Sequence, residues 1–299
     1  MKIVHFIVNP IAGKGNPDIT EEYLSKYFGK ENFRLVVKYS EYKGHAKVLT
    51  KQSIKEKAEI IVACGGDGTI NEVGSCLVPT DIALGIIPIG SGNGLARNLK
   101  IPKSMDKALA IIKNQNTVAI DVGQINERYF FSNIGFGFTA NIISNFESSR
   151  NRRLYTYLKA TIQSIWSYKN NTDYTIEING KEKVLFPFLV FVSNTNVMGY
   201  NFSMTRKAIL NDGLLDLVII SKLNRLKIFY LALLFLVGIE HTIREYSYHR
   251  VENATIKVGN RELEIPFQID GEFRTIKNRE FQIDIIKGGL NVIGSEILS

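Results

Sequence analysis

The residues best placed to do chemistry form the run Gly65-Gly66-Asp67-Gly68-Thr69, set between the apolar stretch 58–64 and a helix-like segment carrying Asn71 and Glu72. Glycines at a strand-to-helix turn let backbone N–H groups approach a polyphosphate. The helix N-terminus adds a positive dipole end, and a carboxylate among the glycines can hold a metal ion or its water shell. The pattern points to a nucleotide site. A plain tight turn with an N-capping aspartate is the simpler alternative, and so many glycines around one carboxylate argue against it.

A second turn, Pro88-Ile89-Gly90-Ser91-Gly92-Asn93-Gly94, follows the apolar run 82–87 and leads into Leu95-Ala96-Arg97. Its glycines lack the spacing of a dinucleotide fingerprint, so it gains weight only beside the first turn. A third, Asn9-Pro10-Ile11-Ala12-Gly13-Lys14-Gly15, comes straight after the first apolar run. Lys14 lacks the upstream glycine of a Walker A loop, which argues against a P-loop enzyme.

The elements that must position these turns alternate. Strand-like runs at Lys2–Val8, Phe33–Tyr39, 58–64 and 82–87 are separated by helical patterns at 21–28, from Gly44, at 69–77 and after Pro102, where Ser104 is a plausible N-cap. Such alternation predicts a doubly wound parallel sheet, whose ligands bind at the carboxyl ends of the strands. From about residue 118 the pattern changes to strands at 118–125, 129–134, 174–178, 184–192, 214–221, 250–258, 262–269 and 281–286. Asn179-Gly180 and Gly259-Asn260 supply turn signals between them. The fold expected is an α/β N-terminal domain over 1–122 and a mainly antiparallel β-sandwich over 123–299, the last residues returning to the first domain. One helix, 154–166, interrupts the strands behind Arg150, Arg152 and Arg153.

A formal net charge of +8 favours anionic partners without selecting one. Cys64 and Cys76 are the only cysteines, which predicts packed thiols rather than a disulfide framework. The start of the chain has no secretory pattern, so a cytoplasmic protein is expected. The longest apolar run, 228–239, is too short to span a bilayer and reads as a buried core helix, with an interfacial helix as the alternative.

The three turns, together with Gly44-His45-Ala46, Asn133-Ile134-Gly135-Phe136-Gly137-Phe138, Asn211-Asp212-Gly213-Leu214-Leu215-Asp216 and Asp270-Gly271-Glu272, resemble the diacylglycerol kinase catalytic family. That family includes bacterial lipid kinases and the sphingosine and ceramide kinases, and the glycine-rich core is shared with NAD kinases and phosphofructokinases. Order and spacing fit the lipid kinases across nearly the whole chain.

The resemblance implies ATP and Mg²⁺ as cofactors, and a lipid substrate reached at the membrane surface by transient peripheral association. It implies no nucleic-acid partner and leaves a homodimer open. Nucleotide contacts carry over to Asn9, Pro10, Ile11, Ala12 and Gly13, to Ser40, to Gly66, Asp67, Gly68, Thr69, Ile70, Asn71 and Glu72, and to Ser91. Asp67 is the implied organiser of Mg-ATP, Glu272 the implied proton acceptor, and Asp270 the neighbouring acid. A further magnesium site maps onto Asp212 and the carbonyls of Ile209 and Leu214. Two positions depart from relatives: Gly94, where many bacterial members have Asp, and Asn141, where an acid is common. These departures leave the acceptor open: diacylglycerol is the first one expected, with a sphingoid base or ceramide, a NAD kinase, and a non-catalytic regulator as alternatives. The basic approach at Arg150, Arg152 and Arg153, with Lys159, Trp166 and Lys169, is the expected membrane contact.

Overall fold

The computed structural model describes residues 1–13, 19–147, 154–167, 172–197, 203–259 and 264–294. They form two compact units, one of Met1–Val122, Leu210–Asp212 and Ile286–Ser299, the other of Gly123–Ile209 and Gly213–Ile285.

The first unit is built from Lys2–Val8 (β1), Glu21–Ser25 (α1), Phe33–Tyr39 (β2), His45–Lys55 (α2), Ile60–Gly65 (β3), Asp67–Leu77 (α3), Ala83–Pro88 (β4), Gly94–Asn98 (α4) and Met105–Asn114 (α5). The strands pair in parallel in the order β2-β1-β3-β4. β3 and β4 are buried at every position, which is why they read as unbroken apolar runs rather than alternating ones. α3 turns Ile70, Val73, Gly74 and Leu77 inward at helical spacing, and α5 does the same with Ala108, Leu109 and Ile112. Thr20 caps α1 by accepting the Tyr23 N–H at 3.1 Å, whereas Ser104 stands at the N-cap of α5 without a side-chain hydrogen bond.

The chain continues as Thr117–Ile125 (β5), Arg128–Phe130 (β6), Asn133–Gly137 (β7), Phe138–Glu147 (α6), Leu154–Ser167 (α7), Tyr174–Ile178 (β8), Lys181–Leu185 (β9), Pro187–Ser193 (β10), Leu215–Ser221 (β11), Arg225–Val237 (α8), Tyr246–Val251 (β12), Asn253–Val258 (β13), Ile265–Ile269 (β14), Glu272–Ile276 (β15) and Glu280–Ile293 (β16). Within the second unit, β12-β11-β10-β7-β14-β15 form an antiparallel sheet. β13 pairs antiparallel with the start of β16 and with β8, and β8 with β9. The two layers close over one core in which Phe136 meets Phe281 edge-on at 4.9 Å and stacks on Phe267. The end of β16 belongs to the first unit, where Val292 pairs in parallel with Leu84 of β4.

Several expectations are corrected. The run 184–192 is two strands, β9 and β10, and 250–258 is also two, β12 and β13; each pair is divided between different sheets. An apolar run carries no mark of where it changes sheet. The turn Asn179-Gly180 does join β8 to β9, with both residues at positive φ, 51° and 73°. The run 228–239 is not simply a core helix. α8 buries Ile228, Leu231, Leu234 and Phe235 in a cluster shared with Ile165 of α7, and leaves its opposite apolar side exposed. Cys64 is buried and Cys76 partly so, and neither forms a disulfide. Among the described residues no helix is long and apolar enough to cross a membrane.

Candidate functional site

In the first unit the order β2-β1-β3 places a switch point between β1 and β3, because the chain leaves β1 to one side and returns on the other. The segments that follow these two strands meet there. Asn9 donates its backbone N–H to the Cys64 carbonyl at 2.9 Å and its side-chain Nδ2 to Thr69 Oγ1 at 3.2 Å. Asn9 Oδ1 accepts the Ile11 N–H, which shapes the loop through Pro10 and Ala12 to Gly13.

The turns after β3 and β4 are locked to each other. The Gly65 carbonyl accepts N–H groups from Ile89 and Gly90, at 2.9 and 3.3 Å. A Cβ on Gly90 would stand 2.5 Å from the Gly66 Cα, so no side chain fits where the two backbones cross. The carboxylate of Asp67 spans the same gap, accepting the Asn93 N–H on Oδ2 and the Gly94 N–H on Oδ1, both at 2.7 Å. Gly94 opens α4, so Asp67, itself the first residue of α3, caps a different helix. The sequence expectation for Asp67 is amended accordingly: it holds the second turn in place, whatever else it binds. Arg97 donates Nε to the Gly92 carbonyl at 2.9 Å and closes the turn from the other side.

Gly66 at the N-cap of α3 brings no side chain to the first turn of that helix. A short glycine-lined approach to a helix N-terminus suits an anion such as a polyphosphate, and Gly66, Gly68 and Ser91 are all at least partly accessible. Ile11 is exposed on the loop after β1, and Ser40 is half-buried after β2, its N–H extending the β1 pairing through the Val8 carbonyl at 2.8 Å. Glu72 accepts the Gly44 N–H at 2.9 Å and so fixes the start of α2. The Ile70 side chain is in the core at 2% exposure, and its N–H is donated to the Gly66 carbonyl at 3.0 Å.

In the second unit the turn Asp270-Gly271 joins β14 to β15, and Glu272 is the first residue of β15. Asp270 is buried, with φ 47°, and its carboxylate accepts three backbone N–H groups, from Phe131 at 3.0 Å, Ser132 at 2.7 Å and Asn133 at 3.0 Å. Gln268 completes the weld, donating to Asn133 Oδ1 and accepting the Gly271 N–H. Asp270 is thus an anchor for the segment 131–133. Glu272 is part-buried and meets Arg274 at 2.5 Å. The sequence reading missed Arg274, although a residue two positions along a strand shares a face with its partner. Glu147 of α6 accepts the Phe273 N–H and ties α6 to β15. Asn141, also on α6, accepts from Asn145, which donates in turn to Ser164 of α7.

Asp212 is half-buried on the loop before β11, next to Gly213 at φ 74°, while the Leu210 carbonyl accepts the Asp121 N–H at 2.7 Å. Lys14, Arg150, Arg152, Arg153 and Lys169 lie outside the described residues.

Comparison with known proteins agrees with this architecture. Residues 3–125 match the diacylglycerol kinase catalytic domain, and residues 132–293 match the YegS C-terminal NAD kinase beta sandwich-like domain. A diacylglycerol kinase of Bacillus subtilis is 29% identical over 94% of this chain and 93% of its own. The crystal structure of a diacylglycerol kinase from Bacillus anthracis superposes with a TM-score of 0.70 at 17% identity, covering 100% of this chain and 98% of that one. Yeast NADH kinase shares the fold more distantly, with a TM-score of 0.53 at 10% identity over 99% of this chain and 84% of its own. With both domain models matched in order along one chain, the protein belongs to the diacylglycerol kinase-like family of lipid kinases.

Proposed function

We propose that the protein transfers the γ-phosphoryl group of ATP to a hydroxyl of a membrane lipid, with diacylglycerol as the acceptor to test first and a sphingoid base or ceramide next. The observation that carries this reading is the clamp of Asp67 on Asn93 and Gly94, which draws the second glycine turn against the N-terminus of α3. Asn9 to Gly13, Ser40, Gly66 to Thr69, Asn71, Glu72 and Ser91 would hold the nucleotide. Bound Mg-ATP supplies the phosphoryl group and neutralises its charge, and the remaining task is positioning and a path for one proton.

Glu272 would accept that proton from the lipid hydroxyl. Arg274 fixes its carboxylate at 2.5 Å, so proton uptake is accompanied by loosening of that pair. Asp270, committed to three backbone N–H groups, would act by holding the turn that presents Glu272.

The test is transfer of label from [γ-³²P]ATP to a panel of diacylglycerol, monoacylglycerol, sphingoid base, ceramide and phosphatidylglycerol in mixed micelles, with NAD in parallel. Label in one lipid supports the proposal and names the acceptor. Label in NAD alone replaces it with a NAD kinase, and binding of ATP and lipid without transfer replaces it with a regulator.

A further inference from the structure

We propose that the outward face of α8, continued by Ile162 and Trp166 of α7, is the surface by which this protein docks on an anionic phospholipid bilayer; the inference rests on the lipid-kinase reading above. From Ile228 on, α8 carries no polar residue other than Tyr230, and among its described side chains Ile228, Leu231, Leu234 and Phe235 enter the core. Leu226, Phe229, Tyr230, Leu233 and Val237 are between 45% and 81% exposed. Their spacing, i, i+3, i+4, i+7 and i+11, puts all five on one side of the helix. Residues 228–239 contain no charged side chain. A stripe of this length left in water is the mark of an interaction surface.

What fits it is argued from the rim. Between residues 222 and 245 there are four Lys or Arg and two Asp or Glu, a balance of +2. Glu245 pairs with Lys227, and Glu240 is buried 3.9 Å from Arg206 Nε, so its charge is turned inward; Lys222, Arg225 and Arg244 remain as the rim cations. Lys222 and Arg225 are exposed at the start of α8, and His241 and Arg244 are exposed just beyond its end. Arg225 also lies over the Trp166 ring, 5.0 Å from its centroid, and Trp166 is itself 60% exposed. An apolar stripe with cations at both ends and a tryptophan at its margin has the make-up of a helix lying in the headgroup boundary of an anionic membrane. A second copy of the chain suits it poorly. With cations at both ends, parallel or antiparallel pairing of two α8 faces sets like charges against each other.

Trp166 is the only tryptophan, so its emission reports this face directly. The full-length protein is titrated, without nucleotide, with vesicles of phosphatidylglycerol and phosphatidylcholine in equal parts, and with vesicles of phosphatidylcholine alone. The expected result is a blue shift and quenching by brominated acyl chains on the anionic vesicles. The double variant Leu226→Ser/Leu233→Ser should partition roughly tenfold less or weaker still, since two exposed apolar side chains are lost from the inserted stripe. Its thermal transition should match the wild type; if it does not, Lys222→Glu/Arg225→Glu, which touches no core residue, takes its place with the same expected loss. Equal partitioning of wild type and variants, or Trp166 emission that ignores the vesicles, overturns the proposal. A wild-type dimer that the double variant converts to monomer, with vesicle binding unchanged, overturns it in favour of a second copy. Phosphorylation of a short-chain diacylglycerol kept monomeric is measured separately: failure there removes the kinase reading, while the vesicle titration judges the docking face alone.

Discussion

Asp67 Oδ2 lies 2.7 Å from the backbone nitrogen of Asn93, a residue held at φ 56°. Left-handed backbone is strained for most side chains and tolerated by asparagine, and here it turns two successive N–H groups, those of Asn93 and Gly94, onto one carboxylate. Replacing Asp67 by Ala leaves both donors without that acceptor, a loss of about 1–3 kcal/mol for each fully buried donor and less for one that water can reach. The expected outcome is a lower melting temperature together with loss of transfer. Asp67→Asn, which keeps one acceptor oxygen, should recover part of the stability. Wild-type melting of the Ala variant would leave metal binding as the whole role of this side chain.

Glu272→Gln should lower kcat on the order of 10²–10⁴, the span usual for loss of a general base, with KM for ATP little changed. Arg274→Gln frees the carboxylate without removing it, and a smaller kcat loss is expected. Steady-state kinetics on both variants decide the matter. A defect confined to KM for ATP would make Glu272 a binding residue.

Asp270→Asn is expected to act on stability first. The substitution turns an NH₂ group or a weaker acceptor toward three backbone donors that now share one carboxylate. Charge-assisted hydrogen bonds of this kind contribute about 1.5–3 kcal/mol each before cooperativity. The urea midpoint should fall clearly, and an unchanged midpoint would contradict the anchoring role.

His5 predicts a pH dependence. It is 1% exposed, and burial first, then the charge of Lys38, lowers its pKa below the ordinary 6.5, against a smaller opposing pull from Glu56. The folded state therefore binds fewer protons than the unfolded one. Its contribution to stability is complete above pH 6.5 and is lost as pH falls from there through the folded pKa. His249 is shifted the same way by burial. Melting temperature should be flat near neutrality and decline on acidification below about 6.5, and His5→Gln/His249→Gln should flatten that decline. An unaltered pH profile in the double variant would refute the assignment.

Much of the fold was legible because its signals are local. β1 and β2 are bounded in the sequence by the same residues as in the structure, since apolar runs flanked by turn residues have sharp ends. α7 was visible through helical spacing alone. α4 and α6 were not: α4 has five residues, and α6 follows β7 without a gap, so neither offers a separate period. The division of 184–192 and of 250–258 between sheets depends on packing partners far away in the chain. In the candidate site, the glycine turns announced themselves through composition. That Asp67 would serve the second turn could not be read from spacing, because its partners are 26 and 27 residues ahead. The exposure of one side of α8 is equally a property of what surrounds it.

β16 carries a consequence for how the molecule comes off the ribosome. Val292 stands beside Leu84 of β4, yet the ribosome reaches it only after every residue of the second unit has been made. During synthesis β4 thus waits as an uncovered sheet edge, open to pairing with another nascent chain. The parallel sheet that carries the glycine turns is the first to be translated and the last to be finished, so vectorial synthesis delays the completed nucleotide unit until the sandwich has had time to form.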